Sequence, residues 1–331
     1  MGSRTGMVGA ARALEPAGCV ELARLERSGL VESRHLGAAA VVDASGRVLR
    51  AVGDTSATVY PRSTLKPLQA IAMLEAGARF TDEQLVLATA SHCGSALHLA
   101  VVEGMLAEDG RTGDDLQCPV EPPLGSRERA ERAAAGLPAT RVTMNCSGKH
   151  AGFLRASDAL GADARQYLNV EHPVQRRVTE TIAQWTGEPV HRTAVDGCGA
   201  PLHATSLAAL GRGIARVGTG HSPHAAALMS AVLAQPWAID GVGRANTVVV
   251  ERLGLLAKIG AEGLLVLASS QGVAVAVKML DGGMRATTPV ALALLAAEGV
   301  VDSAAADEVA ASLAQPVRGG GEIVGGLVVT L

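Results

Sequence analysis

Residues 264–280, LLVLASSQGVAVAVKML, are apolar almost throughout and are broken only around Gln271-Gly272, so they read as two apolar strands joined by a turn. A second hairpin is legible near the start of the chain, where 37–51 (GAAAVVDASGRVLRA) runs strand, turn at Asp43–Gly46, strand. The last residues, 323–331 (IVGGLVVTL), read as a further strand. Between these lies helical spacing: Leu68, Ile71, Ala72 and Leu74 mark 67–77, and 98–107, 173–186, 204–216 and 224–235 behave alike. Pro173 suits the first turn of its helix, and 119–125 (PVEPPLG) is a rigid loop. The pattern predicts an α/β or α+β fold with antiparallel strands drawn from both chain ends and a helical middle.

At 331 residues the chain is long enough for one large domain or for two lobes around a shared core. We read 1–331 as a single domain, two lobes sharing one site being the variant, with 1–34 as an N-terminal segment of unassigned order. Aromatic residues are only 2% against 48% hydrophobic, so Ala, Val, Leu, Ile and Met must fill the core and no stacking platform for bases is available. The net charge of −3 and the lack of a basic stripe also argue against nucleic acid. Glu15, Glu21 and Glu26 interrupt the N-terminal region, which holds Arg4 and Arg12, before any apolar stretch reaches signal or membrane-span length, so a cytoplasmic protein without membrane contact is expected. Five scattered cysteines do not make a disulfide framework.

Several short clusters carry candidate chemistry. In Arg62-Ser63-Thr64-Leu65-Lys66-Pro67 a serine and a lysine stand three apart before a helical pattern, and such a lysine can take the serine proton if burial or the nearby Arg62 lowers its pKa. Pro67 places both at or just before the helix start, and a helix cap with a solvated lysine fits the same letters. Ala90-Ser91-His92-Cys93-Gly94-Ser95, followed by His98, reads as a polar loop at the mouth of a site; it lacks the paired cysteines of a zinc motif. Asn145-Cys146-Ser147-Gly148-Lys149-His150 lacks a phosphate-loop glycine, Thr143 standing in its place. Asp196-Gly197-Cys198-Gly199-Ala200-Pro201 is a tight turn that presents a carboxylate and a thiol. Cys146, Cys198 and Lys149 invite pairing around a metal or as a sulfur-lined wall. Lys258, between apolar neighbours, reads either as a buried lysine of lowered pKa or as a snorkelling one at a strand end.

Taken in order, RSTLKP, ASHCG, NCSGKHAGFL, VDGCGAP, AKIGAEG and the Lys278–Arg285 segment resemble the rhizobial-type, zinc-binding (class 3) L-asparaginase II family over about residues 35–330. The resemblance implies a serine β-lactamase- and glutaminase-like α/β (α+β) sandwich, a helical lobe on a mainly antiparallel sheet. It implies hydrolysis of L-asparagine to L-aspartate and ammonia through a serine-lysine acyl-enzyme, with Ser63 as nucleophile, Lys66 as its base, and Ser91 paired with Lys258 or with Lys278. Arg62, Asp196, His150 and Lys278 would line the substrate site, Asp196 holding the α-ammonium. Cys146, Lys149 and Cys198 would hold zinc, His150 would sit beside it, and a homodimer is expected. The rival readings are a glutaminase or other amidohydrolase on this fold and a non-catalytic zinc-binding regulatory protein. Cys93 departs from the pattern by placing a thiol near the serines.

Overall fold

The computed structural model describes residues 12–331. Arg4 and the rest of 1–11 lie outside the described residues. Strands β1 (Val20–Arg27) and β2 (Leu30–Asp43) turn over on Ser28-Gly29, both at positive φ (47 and 83), the backbone that a two-residue hairpin requires. The described part of the 1–34 segment is thus largely strand. Asp43 closes the next turn by accepting hydrogen bonds from the backbone N–H groups of Ser45 and Arg47, and β3 (Val48–Val52) follows. After the short β4 (Thr58–Val59) come α1 (Lys66–Glu75), α2 (Asp82–Thr89), α3 (Ala96–Glu108), α4 (Ser126–Ala134), α5 (Ser147–Ala159) and α6 (Pro173–Thr186). Thr81 and Gln84 form a capping box on α2, and Ser95 caps α3.

Short strands β5 (Thr193–Val195), β6 (Pro201–His203) and β7 (Thr205–Ser206) precede α7 (Leu207–Gly218), α8 (Pro223–Ala234) and α9 (Ala245–Leu253). The chain then returns to the sheet with β8 (Leu256–Gly260), β9 (Leu264–Ala268) and β10 (Val273–Met279), adds α10 (Thr287–Ala297) and α11 (Ser303–Leu313), and ends on β11 (Val317–Gly319) and β12 (Glu322–Val329).

Among the described residues, eight strands form one antiparallel sheet in the order β11-β12-β1-β2-β10-β9-β8, with β3 also on β2. Every residue of β9 is buried because helices cover the sheet: α7 packs on β2, β9 and β10, and α10 on β9 and β10. This is why 264–280 carries no polar alternation. The remaining helices form a layer in which α1 meets α2, α5, α6 and α8. The fold is a mixed α/β arrangement of an antiparallel sheet and a helical lobe, as expected. Among the described residues, no helix is long and apolar enough to cross a membrane.

Candidate active site

The 3-10 turn Arg62–Leu65 feeds straight into α1, and Lys66 is the first residue of that helix. Its stem is buried, and its Nζ donates to Ala90 O, to Ser91 Oγ at 3.0 Å and to Cys146 Sγ at 3.1 Å. Ser91 lies just beyond α2 on an extended loop. Main-chain bonds hold that loop: Ser91 N–H to Ile239 O at 3.3 Å, Cys93 N–H to Asp240 O at 2.7 Å and His92 N–H to Asn145 O at 3.2 Å. From the edge strand β8, Lys258 Nζ reaches the same Ser91 Oγ at 2.9 Å and also donates to Ile259 O. Burial, and then the neighbouring charge of Lys66, hold Lys258 well below the ordinary lysine value. A neutral amine carries a lone pair that can accept the Ser91 proton.

The expected local pairing of Ser63 with Lys66 is not a hydrogen bond in the structure: the partners of Lys66 Nζ are Ala90 O, Ser91 Oγ and Cys146 Sγ. The helix begins at Lys66, with Pro67 in its first turn, so Ser63 sits in the 3-10 turn before it and the helical i, i+3 alignment does not apply. Of the two lysines considered as partners of Ser91, Lys258 is the one on the hydroxyl. Lys278, on β10, donates instead to the carbonyls of Glu262 (2.6 Å) and Met279 (2.7 Å), and with Arg62, Glu262 and Tyr60 it lines a cavity of about 470 Å³.

The sulfur cluster adjoins this site. Cys146 caps the start of α5, Lys149 occupies its first turn, and Cys198 comes from the turn after β5; all three are buried. Lys149 Nζ donates to Cys198 Sγ at 3.0 Å. The Cys146 thiol donates to Asn145 Oδ1 at 3.0 Å; its sulfur neighbour Cys198 and burial push its pKa up, while Cys146 and the Lys149 charge push Cys198 down against burial. Burial opposes the charge on Lys149, but the sulfurs, Cys198 first, outweigh it and hold the amine protonated. Among the described residues no three His, Cys, Asp or Glu side chains group as metal donors. The candidate donors are instead two sulfurs and an amine: thiolates suit zinc, whereas lysine is an unusual ligand, and Cys146 and Lys149 would each have to release a proton to bind it.

His150, also in the first turn of α5, bonds through Nδ1 to the Tyr167 hydroxyl at 2.7 Å, while its Nε2 makes no well-aligned hydrogen bond although the Cys198 sulfur is near enough to favour the charged ring. Burial is the larger effect and lowers its pKa. Arg62 Nε donates to Asp196 Oδ1 at 2.7 Å, with side chains 24% and 11% exposed, so the two reach the site as a partly sheltered ion pair. Cys93 Sγ lies 3.7 Å from His98 Nδ1, and burial pushes its pKa up to about 11, which leaves it a thiol. Tyr167 and Glu262 were not singled out from the sequence. Glu262 had a signal, the AEG turn beside Lys258; Tyr167 had none, its phenol being brought in by the chain between α5 and α6.

Solved structures resemble this fold at low identity. The glutamate form of Mglu matches at 16% identity and TM-score 0.43, over 80% of this chain and 61% of its own. A Bacillus glutaminase matches at 12% and 0.37, over 80% and 92%, and a β-lactamase from Mycobacterium bovis at 16% and 0.34, over 79% and 94%. The chain spans about three fifths of the length of the Mglu chain it matches. A search of curated proteins gives no match. The family profile described as L-asparaginase II matches residues 23–329, nearly the whole chain, and the chain belongs to the L-asparaginase II family.

Proposed function

We propose that the protein is an amidohydrolase that converts L-asparagine to L-aspartate and ammonia through a serine ester. The observation that carries this reading is the buried Lys66–Ser91–Lys258 array, with both ammonium positions within 3.0 Å of one hydroxyl. Burying two lysines is costly unless their protons are used, and a protein that needed only its cysteines would have no call for them.

Ser63, half-buried beside Arg62, is the accessible hydroxyl and would attack the side-chain amide carbon, whereas Ser91 is buried. Lys66, charged in the free protein, would first pass a proton through Ser91 to the neutral Lys258 and so become free to take the Ser63 proton once substrate draws the two together, since such contacts are often loose before substrate binds. Lys258, once protonated, would return a proton through Ser91 to the amide nitrogen as the C–N bond breaks and ammonia leaves. Backbone N–H groups near Ser63 would steady the oxyanion, and water would then hydrolyse the ester. Asp196 would hold the α-ammonium and Arg62 the α-carboxylate. Cys146, Cys198 and Lys149 would hold zinc, which when bound supplies positive charge that orients the substrate.

Ammonia release from L-asparagine by the parent and by Ser63→Ala, beside L-glutamine and nitrocefin, tests the reading. Activity on asparagine that disappears in the variant supports it; turnover of glutamine or nitrocefin alone replaces the substrate, and no turnover of any of the three removes the reading.

A further inference from the structure

Arg62 (φ 53) and Glu262 (φ 63) are two of the three non-glycine residues at positive φ among the described residues, and they face each other, Arg62 Nη1 lying 3.8 Å from a Glu262 carboxylate oxygen. Left-handed backbone at a bulky residue persists only where its surroundings impose it, and it concentrates at working sites. The Glu262 turn is tied down and packs against the turn that carries Arg62. Lys278 Nζ holds the Glu262 carbonyl at 2.6 Å, and the neighbouring Gly260 presses so closely on the turn carrying Ser63 that a Cβ there would stand 2.9 Å from Pro61 O.

The guanidinium has two edges. One is taken, since Nε donates to Asp196 at 2.7 Å. The outer edge faces Glu262, whose side chain is 67% exposed and so is readily displaced. A planar fork faced by one exposed carboxylate is a carboxylate site with an internal occupant.

We propose that Glu262 is a specificity-determining residue that covers the outer edge of Arg62 in the free protein and yields it to the α-carboxylate of the amino-acid substrate. The proposal rests on the asparaginase reading above. A substrate with its own carboxylate takes the place of Glu262 on the fork, whereas an amide without one leaves that ion pair as it is and gains nothing from Arg62. Amides without that group are disfavoured by a contact that never touches the reacting carbon.

The test uses the full chain and Glu262→Gln, which keeps side-chain size and the carbonyl that Lys278 holds. Kinetics are measured for L-asparagine, with L-aspartate and 3-aminopropanamide (asparagine without its carboxylate) as inhibitors. An exposed ion pair is weak, so the expected result is a KM for asparagine, and an inhibition constant for aspartate, lower by about two- to fivefold. The change falls on KM rather than kcat, and inhibition by 3-aminopropanamide does not move. An unchanged or raised KM in a parent that hydrolyses asparagine overturns the proposal and leaves the asparaginase reading standing, as does an equal shift for all three compounds. A parent that neither hydrolyses asparagine nor binds aspartate overturns both.

Discussion

Lys258 Nζ stands 2.9 Å from Ser91 Oγ although 167 residues separate them in the chain, and burial drives that lysine toward its neutral form. A serine so placed relays a proton more readily than it attacks, because it is buried while Ser63 is not. Ser91→Ala is therefore expected to lower kcat by about 10²- to 10⁴-fold, the range for loss of acid-base assistance, with the ester still forming on Ser63. Mass spectrometry of quenched reactions locates the aspartyl ester; finding it on the peptide that holds Ser91 would reverse the two roles.

Lys258→Met is expected to abolish turnover and to stabilise the fold. Its folded pKa lies below the ordinary 10.5, so between the two values the unfolded chain binds a proton that the folded one does not, and stability rises with pH across that window. The methionine variant loses this slope and gains a few degrees in Tm at neutral pH, about what 1–2 kcal/mol gives a chain of this size. In the parent, activity falls as pH drops through the lowered Lys258 pKa. Thermal unfolding of both proteins over neutral to alkaline pH checks this; parallel slopes would mean that Lys258 is charged in the fold.

Zinc binding should release protons. Cys146 is pushed up by the neighbouring Cys198 sulfur and by burial, and Lys149 is held up by the sulfurs against burial, so both carry protons that a metal must displace. Affinity for zinc accordingly rises with pH, and Cys198→Ser weakens it. Calorimetric titration in buffers of different ionisation enthalpy counts the protons released, and binding that ignores pH would place the metal elsewhere.

Gly260→Ala is expected to harm activity more than stability. The new methyl would meet Pro61 O at 2.9 Å and Thr64 N at 3.3 Å, both backbone atoms, so the turn that carries Ser63 must shift. Overpacking of this kind costs about 1–3 kcal/mol, while a displacement of Ser63, the proposed nucleophile, by a fraction of an ångström multiplies into kcat. Comparing the drop in kcat with the drop in Tm decides; a loss of Tm with kcat intact would count against a tight link between β8 and the Ser63 turn.

The parts of the fold legible in the sequence were those with strong local signals. Pro173 opens α6 where expected, Asp43–Gly46 turns between β2 and β3, and 264–280 divides into β9 and β10. The strand β1 escaped notice because Val20–Arg27 carries a mixture of charged and apolar residues whose partners, β2 and β12, include one from the far end of the chain. The helix α5 was hidden because Asn145–His150 is made of turn-like residues; Gly148 is there because α2 passes so close that a Cβ would stand 2.6 Å from Leu87 O. The same holds for the site. Lys66 and Cys146 were singled out separately, but their 3.1 Å contact depends on packing α5 against α1, which no local pattern encodes.

Because Lys66, Ser91, Cys146, Cys198 and Lys258 come from five separated stretches, the last of them on the edge strand β8, no fragment of the chain holds a working set. Catalysis then reports completion of folding: during refolding, helical signal recovers before turnover, since the contacts that join β8 to the helical layer are among the most distant in sequence and the slowest to form. A nascent chain still emerging from its ribosome would be chemically silent until β8 had been made, which keeps a partly folded intermediate from attacking free amides around it.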